Sequence, residues 1–281
     1  MTDKIMQPLT SLSAIADRYD AFILDLWGVV HDGSHLYPGV HEALVEMRKA
    51  GKKIIMLSNA PRRARKAEAM LNHLGVETAL YDLVLSSGEV GYQWLAAGKA
   101  PWGKRYYYIG PSRDADVMDG LDFTRIDDVK DADFLLNVGF GSEDQSTEDW
   151  MPFLRAARAL KLPMVCLNPD LEVVKQTGER FPCAGVIGHA YQNAGGQVIW
   201  FGKPYPAVYE RCMEAFSPIG KSRVLAVGDS LETDIPGAVN FGMDCALVTG
   251  GILKKNTREE IEAMCGRLNL RPRYIMSKLT W

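Results

Sequence analysis

The chain has 281 residues, of which 47% are hydrophobic and 24% charged, and a formal charge of −3. That balance gives no electrostatic reason to expect a nucleic acid or an anionic membrane as partner, and no apolar run approaches the roughly 20 residues that span a bilayer. The N-terminal stretch MTDKIMQPLTSLS lacks the apolar core and small-residue cleavage site of a secretory signal.

A lead-in helix is expected around Leu12–Arg18. Phe22–Leu24 then forms an apolar strand that ends in Asp25, with Gly28 three residues on. A parallel strand buried on both faces does not tolerate an unpaired charge, so Asp25 is expected where the strand emerges at its carboxyl end. In open α/β sheets that rim is where ligands bind; an aspartate that simply caps the next turn is the alternative. HDGSHLYPGV is rich in turn formers and predicts a loop or flap over the strand end. Val40–Ala50 has helical spacing and stops at Gly51. Lys53–Leu57 is a second strand, closed by Ser58-Asn59, and Pro61 opens a helix that runs through Arg62–Leu74 to Gly75. Strand, helix, strand, helix implies parallel strands joined by right-handed crossovers.

From about Ser86 the alternation starts afresh, with a helix over Gly88–Ala97, strands over Arg105–Ile109 and Phe134–Val138, a helix over Thr147–Leu160, and a strand over Met164–Leu167 that ends at Asn168-Pro169-Asp170. Roughly 140 residues separate Ser58-Asn59 from Gly202-Lys203-Pro204, far too many for a loop, so they predict an inserted domain. The run QVIWF before Lys203 reads as another strand. Beyond it come a helix over Pro206–Phe216, a strand over Arg223–Val227 closed by Gly228-Asp229-Ser230 with Thr233-Asp234 just after, and a helix over Ile235–Phe241. A strand over Asp244–Val248, a helix over Thr257–Leu268 and an edge strand over Tyr274–Met276 complete the chain. The expected organisation is a core domain from residues 1–85 and 200–281 and an inserted domain over 86–199.

Singly, Gly-Lys-Pro reads as a solvated turn, Gly228-Asp229-Ser230 as a helix cap and Ser58-Asn59 as a turn. Taken together, in the order Asp, Ser/Asn, Lys, Asp/Asp and each at the end of a strand-like run, they resemble the haloacid-dehalogenase-like superfamily of aspartate-nucleophile hydrolases. The closer likeness is to its class II, subclass A branch, which includes sugar-phosphate and nitrophenyl-phosphatase-like members. The resemblance implies an α/β fold: a doubly wound, Rossmann-like parallel-sheet core with an inserted α/β cap. It implies that Asp25 attacks phosphorus to form an aspartyl-phosphate that water later hydrolyses, with Lys203 neutralising the anion. It further implies Mg²⁺ held by Asp25, Asp229 and the backbone carbonyl of Trp27, with Asp234 in support. Ser58 and the backbone of Asn59 would donate to the phosphoryl group, and Gly28 would allow close backbone approach. Asn168 and Asp170 would face the substrate. Arg113, Glu179 and Arg180 are further candidate contacts with no motif behind them. His31, His35, His41, His73 and His189 show no metal-like spacing and read as surface or loop residues. Cys166, Cys183, Cys212, Cys245 and Cys265 are scattered, with no Cys-x-x-Cys pair, and predict reduced thiols in a cytoplasmic protein.

One departure stands out. The family's first motif reads Asp-x-Asp-Gly, and here it reads Asp25-Leu26-Trp27-Gly28. In the family's phosphatases the second aspartate protonates the leaving oxygen and activates water, and an indole does neither near neutral pH. Dehalogenase members carry a tyrosine at that place, and their leaving halide needs no proton. Two functions follow: a Mg²⁺-dependent hydrolase of a small phosphorylated metabolite with a good leaving group, or a non-catalytic phosphometabolite-binding regulator. Dehalogenation fits less well, since carbon–halogen cleavage gives the metal carboxylates no role. Asp32 on the flap is a candidate substitute acid/base. The sequence names no substrate and leaves the oligomeric state open, a homodimer being one option.

Overall fold

The apolar runs form strands because both of their faces are covered. Ala21–Asp25 and Val224–Gly228 are buried along their whole length, as expected for parallel strands sandwiched between helices. The structure is a computed structural model that describes residues 6–142, 144–174 and 180–281. In chain order it begins with β1 (Gln7–Pro8), β2 (Ala21–Asp25), α1 (Val40–Lys49), β3 (Lys53–Ser58), α2 (Ala64–His73) and β4 (Leu83–Ser86). There follow α3 (Ser87–Ala96), β5 (Arg105–Ile109), β6 (Thr124–Ile126), β7 (Phe134–Asn137), α4 (Thr147–Ala159), β8 (Met164–Cys166), β9 (Glu172–Val174), β10 (Arg180–Pro182), α5 (Ala184–Asn193) and β11 (Val198–Trp200). The chain closes with α6 (Pro206–Phe216), β12 (Val224–Gly228), α7 (Asp234–Phe241), β13 (Asp244–Val248), α8 (Arg258–Arg267) and β14 (Tyr274–Met276).

Two compact units result. The first is drawn from residues up to Ser58, Ala67–Leu85 and Val208–Trp281. Its seven-stranded sheet has the order β1-β14-β13-β12-β2-β3-β4. The chain moves outward from β2 to β3 and β4, then resumes on the other side with β12, β13 and β14. The winding direction therefore reverses between β2 and β12, the kind of switch point at which open α/β sheets bind ligands. Register fixes what meets there. Leu24 lies opposite Val227 and Asp25 opposite Leu57, so Asp25, Ser58 and Asp229 all emerge at the carboxyl rim.

The second unit comprises Asn59–Lys66 and Ser86–Ala207. Its five-stranded sheet, β11-β8-β7-β5-β6, is parallel at every pairing, and β9 pairs antiparallel with β10. Ile109, Leu135, Leu154, Met164, Ile187 and Tyr191 lie in its core. Helix α4 starts on a capping box in which the Ser146 and Asp149 side chains each accept from the other's backbone N–H.

Several boundaries differ from expectation. The strand before Lys203, which the sequence assigned to no sheet, joins the second: Val198–Trp200 pairs with Met164–Cys166. With it, residues 200–207 and Asn59–Lys66 pack into the second unit. The α2 helix starts at Ala64 and not at Pro61; Arg63 is drawn instead to Glu89, whose carboxylate also accepts the Ala64 N–H at 3.1 Å. Tyr274–Met276 is not the edge, because Gln7–Pro8 pairs outside it. No helix among the described residues is long and apolar enough to cross a membrane. None of the five cysteines is in a disulfide, and burial pushes Cys166 and Cys245 up to about 12, which leaves them protonated.

Candidate active site

The first unit gathers three acids at the switch point. Asp25, Asp229 and Asp234 each offer a carboxylate oxygen, and those oxygens lie within 4.8 Å of one another. All three side chains are buried, at 8%, 6% and 6% exposure. Asp25 arrives there because β2 ends, Asp229 because β12 ends at Gly228, and Asp234 because it opens α7. Backbone amides orient two of them: the Ile252 N–H donates to Asp229 Oδ2 at 2.8 Å, and the Ser230 N–H to Asp234 Oδ2 at 3.2 Å.

Glycines make room for this packing. A Cβ at Gly28 would sit 1.9 Å from Asp229 Oδ2, and so would one at Gly251. Gly28 also has φ of +86°, a conformation that side chains disfavour. Gly251 was not legible as a site residue, because Thr249-Gly250-Gly251 reads as an ordinary turn. Tyr37 was missed for the same reason, lying among turn formers. Burial, and after it the charges of Asp229, Asp32 and Asp25, push its hydroxyl above the usual tyrosine value, which places Tyr37 within the field of the same acids.

Around Trp27 the flap departs from expectation. His31 is buried rather than on the surface, at 6% exposure. Its Nδ1 accepts the Gly33 N–H at 3.0 Å, and burial holds its pKa below the ordinary value while Asp32 pulls the other way. Asp32, the candidate substitute acid/base, has Oδ1 committed to the turn, accepting from the Ser34 and His35 N–H groups at 3.0 and 2.8 Å. Trp27 itself is 39% exposed.

The remaining candidates assemble in the second unit, where Asn59 is a clamp. Its Oδ1 accepts the Lys203 N–H at 2.7 Å; its Nδ2 donates to the Lys203 carbonyl at 2.9 Å and to Asp170 Oδ1 at 2.7 Å. Asn168 Oδ1 accepts the Asp170 N–H at 2.8 Å. Asn59 therefore holds the Lys203 backbone, with Asp170 bracing Asn59 and Asn168 bracing Asp170, a positioning task that their substrate-facing expectation did not include. Lys203 is buried. Arg113 lies near Asp114 and Arg180 pairs with Glu172, while Glu179 lies outside the described residues. Removing the clamp strands two buried backbone groups, each costing about 1–3 kcal/mol. Asn59→Ala is thus expected to destabilise the protein by roughly 2–6 kcal/mol in urea unfolding; a change below about 0.5 kcal/mol would mean the clamp is dispensable.

Comparison with known proteins gives the family. The description of haloacid dehalogenase-like hydrolases matches residues 22–124, and that of HAD-hydrolase-like proteins matches 200–281. A solved hydrolase of the haloacid dehalogenase-like family from Brucella suis is 30% identical, covering 97% of this chain and 100% of its own with a TM-score of 0.84. The chain belongs to the haloacid dehalogenase-like hydrolases. Sugar-phosphatase AraL of Bacillus subtilis is 27% identical over 241 residues, 83% of this chain and 84% of its own. The 4-nitrophenylphosphatase of Schizosaccharomyces pombe is 24% identical over 286 residues, 94% of each chain.

The divalent cation implied by this family fits the acids present. Three hard oxygen donors at this spacing suit a small divalent ion, whereas three buried carboxylates without a cation repel one another. Asp25, Asp229 and Asp234 are the residues that would hold it.

Proposed function

We propose that this hydrolase is a Mg²⁺-dependent phosphatase of a small phosphorylated metabolite, with Asp25 as nucleophile. The observation that carries this is the buried Asp25, Asp229, Asp234 cluster at the carboxyl rim of the switch point. An Asp25 carboxylate oxygen attacks phosphorus, the phosphorus–oxygen bond to the leaving group breaks, and the leaving group departs with the bonding electrons. Water then attacks the aspartyl-phosphate, releasing inorganic phosphate and restoring the carboxylate. Bound Mg²⁺ would supply charge neutralisation for a dianionic phosphoryl group among carboxylates. Lys203, whose backbone Asn59 clamps, is the residue to which the family resemblance assigns a second positive charge. Ser58 lies one residue beyond the strand position opposite Asp25 and would donate to the phosphoryl oxygens. The names of the sugar-phosphatase and 4-nitrophenylphosphatase relatives support phosphate esters as the substrate class. The deciding assay is a panel of sugar, aryl and acyl phosphates with Mg²⁺; no turnover above an Asp25→Asn control on any of them would refute hydrolysis.

Trp27 favours a second function, phosphometabolite binding without turnover, because no carboxylate occupies the acid/base place in the motif. Calorimetry showing Mg²⁺-dependent binding with no product would select it. Hydrolysis with a good leaving group makes a distinct forecast for that position. A positioned acid is worth about 10²–10⁴, so Trp27→Asp is expected to raise turnover of an alkyl phosphate such as glycerol phosphate by at least about tenfold. An unchanged or lower rate would show that the site does not lack an acid.

A further inference from the structure

Trp27 is one of the few large apolar side chains left exposed among the described residues. It lies two residues after Asp25 and immediately before Gly28, whose backbone packs against Asp229. Its position is fixed by its surroundings. A Cβ at Gly33 would lie 2.5 Å from Trp27 Cη2 and 2.6 Å from Cζ3, so the six-membered part of the indole rests on the bare Cα of a glycine. Gly33 has φ of +93°, so glycine is favoured there on backbone grounds as well. The His31 ring meets the indole edge-on, with centroids 5.9 Å apart and planes at 79°. The backbone beneath is tied by Gly28 N–H to the His31 carbonyl at 3.0 Å and by the Val30 and His31 N–H groups to the Leu26 carbonyl at 2.9 and 3.0 Å. The indole is therefore seated, yet 39% of the residue stays exposed, two positions along the chain from Asp25. It cannot exchange a proton near neutral pH. What a held, partly exposed indole can do is present a π-surface to another flat ring.

We propose that Trp27 is a stacking platform that favours phosphorylated substrates whose leaving group is a flat, conjugated ring. This deepens the phosphatase assignment and rests on the acid cluster being the phosphoryl site. It also accounts for the lost acid: a phenolate or enolate, whose charge spreads into the ring, departs without a proton, so the platform and the missing carboxylate point to the same substrate class.

The test measures binding, not turnover. Phenylphosphonate and methylphosphonate, which have no ester bond to cleave, are titrated calorimetrically into the full chain in Mg²⁺ buffer, using wild type, Trp27→Leu and Trp27→Phe. Stacking is worth up to about tenfold in affinity. Wild type is expected to bind phenylphosphonate about tenfold more tightly than methylphosphonate, Trp27→Phe to keep most of that ratio, and Trp27→Leu to bring it near one. A wild-type ratio near one overturns the proposal without reference to any variant, as does a ratio unchanged in Trp27→Leu. Failure to bind either phosphonate overturns both the proposal and the phosphoryl site. A tenfold ratio in a protein that turns over no phosphate ester upholds the platform and removes hydrolysis alone.

Discussion

Replacing Asp25 by asparagine is expected to lower phosphatase turnover by at least about 10⁴ while leaving the fold intact. The side chains are nearly the same shape, so the packing of a strand buried along its whole length is preserved. What is lost is the nucleophilic oxygen, and removing the nucleophile of a covalent mechanism costs up to about 10⁶ elsewhere. The stability effect should run opposite to the activity effect. Three buried carboxylates with oxygens within 4.8 Å repel one another, so neutralising one should hold or raise the unfolding temperature in chelator. Loss of activity with a steady or higher Tm identifies a chemical role; loss of activity with a lower Tm would assign Asp25 to structure. Steady-state kinetics on acetyl phosphate, paired with thermal unfolding in chelator, separates the two.

Gly28→Ala is expected to disable the same site from the other side. Its Cβ would stand 1.9 Å from Asp229 Oδ2 and 2.5 Å from Cγ, at a φ of +86° that costs an L-residue about 1–2 kcal/mol. Asp229 has little room to retreat, since Gly251 packs against the same oxygen and the Ile252 N–H donates to it. One of the three ligands must therefore leave its place. A Mg²⁺ affinity reduced by about 10–100-fold, the usual cost of disturbing ligand orientation, is expected in calorimetry, together with a loss of about 1–3 kcal/mol in stability. Wild-type Mg²⁺ affinity in Gly28→Ala would show that Asp229 does not bind the ion.

The acids were legible because a buried parallel strand restricts where charge can go. An apolar run that stops at Asp25 or at Gly228-Asp229 announces its own carboxyl end, and the order of such ends carried the family likeness. Which sheet a strand joins is not written in the run itself. QVIWF reads the same in either sheet, and only its pairing with Met164–Cys166 assigns it to the second. Asn59 and Lys203 are 144 positions apart, so nothing local reveals that one side chain holds the other's backbone. Helix α5 escaped notice because Gly185 and Gly188 look like breakers. They are packing choices: a Cβ at Gly188 would lie 2.4 Å from Trp200 Cη2, and one at Gly185 would lie 2.3 Å from the Pro169 carbonyl oxygen. His31 looked like a loop residue and lies in a loop, but loops that fold over a site can bury their side chains.

The most direct test of Asp25 as nucleophile is to trap what it forms. Wild-type protein is mixed with acetyl phosphate and Mg²⁺, quenched in acid within one turnover, digested, and mapped by mass spectrometry. One phosphoryl group on the Asp25 peptide, absent from Asp25→Asn, is the predicted result. Turnover with no phosphoryl adduct at Asp25, or an adduct on any other residue, would contradict it.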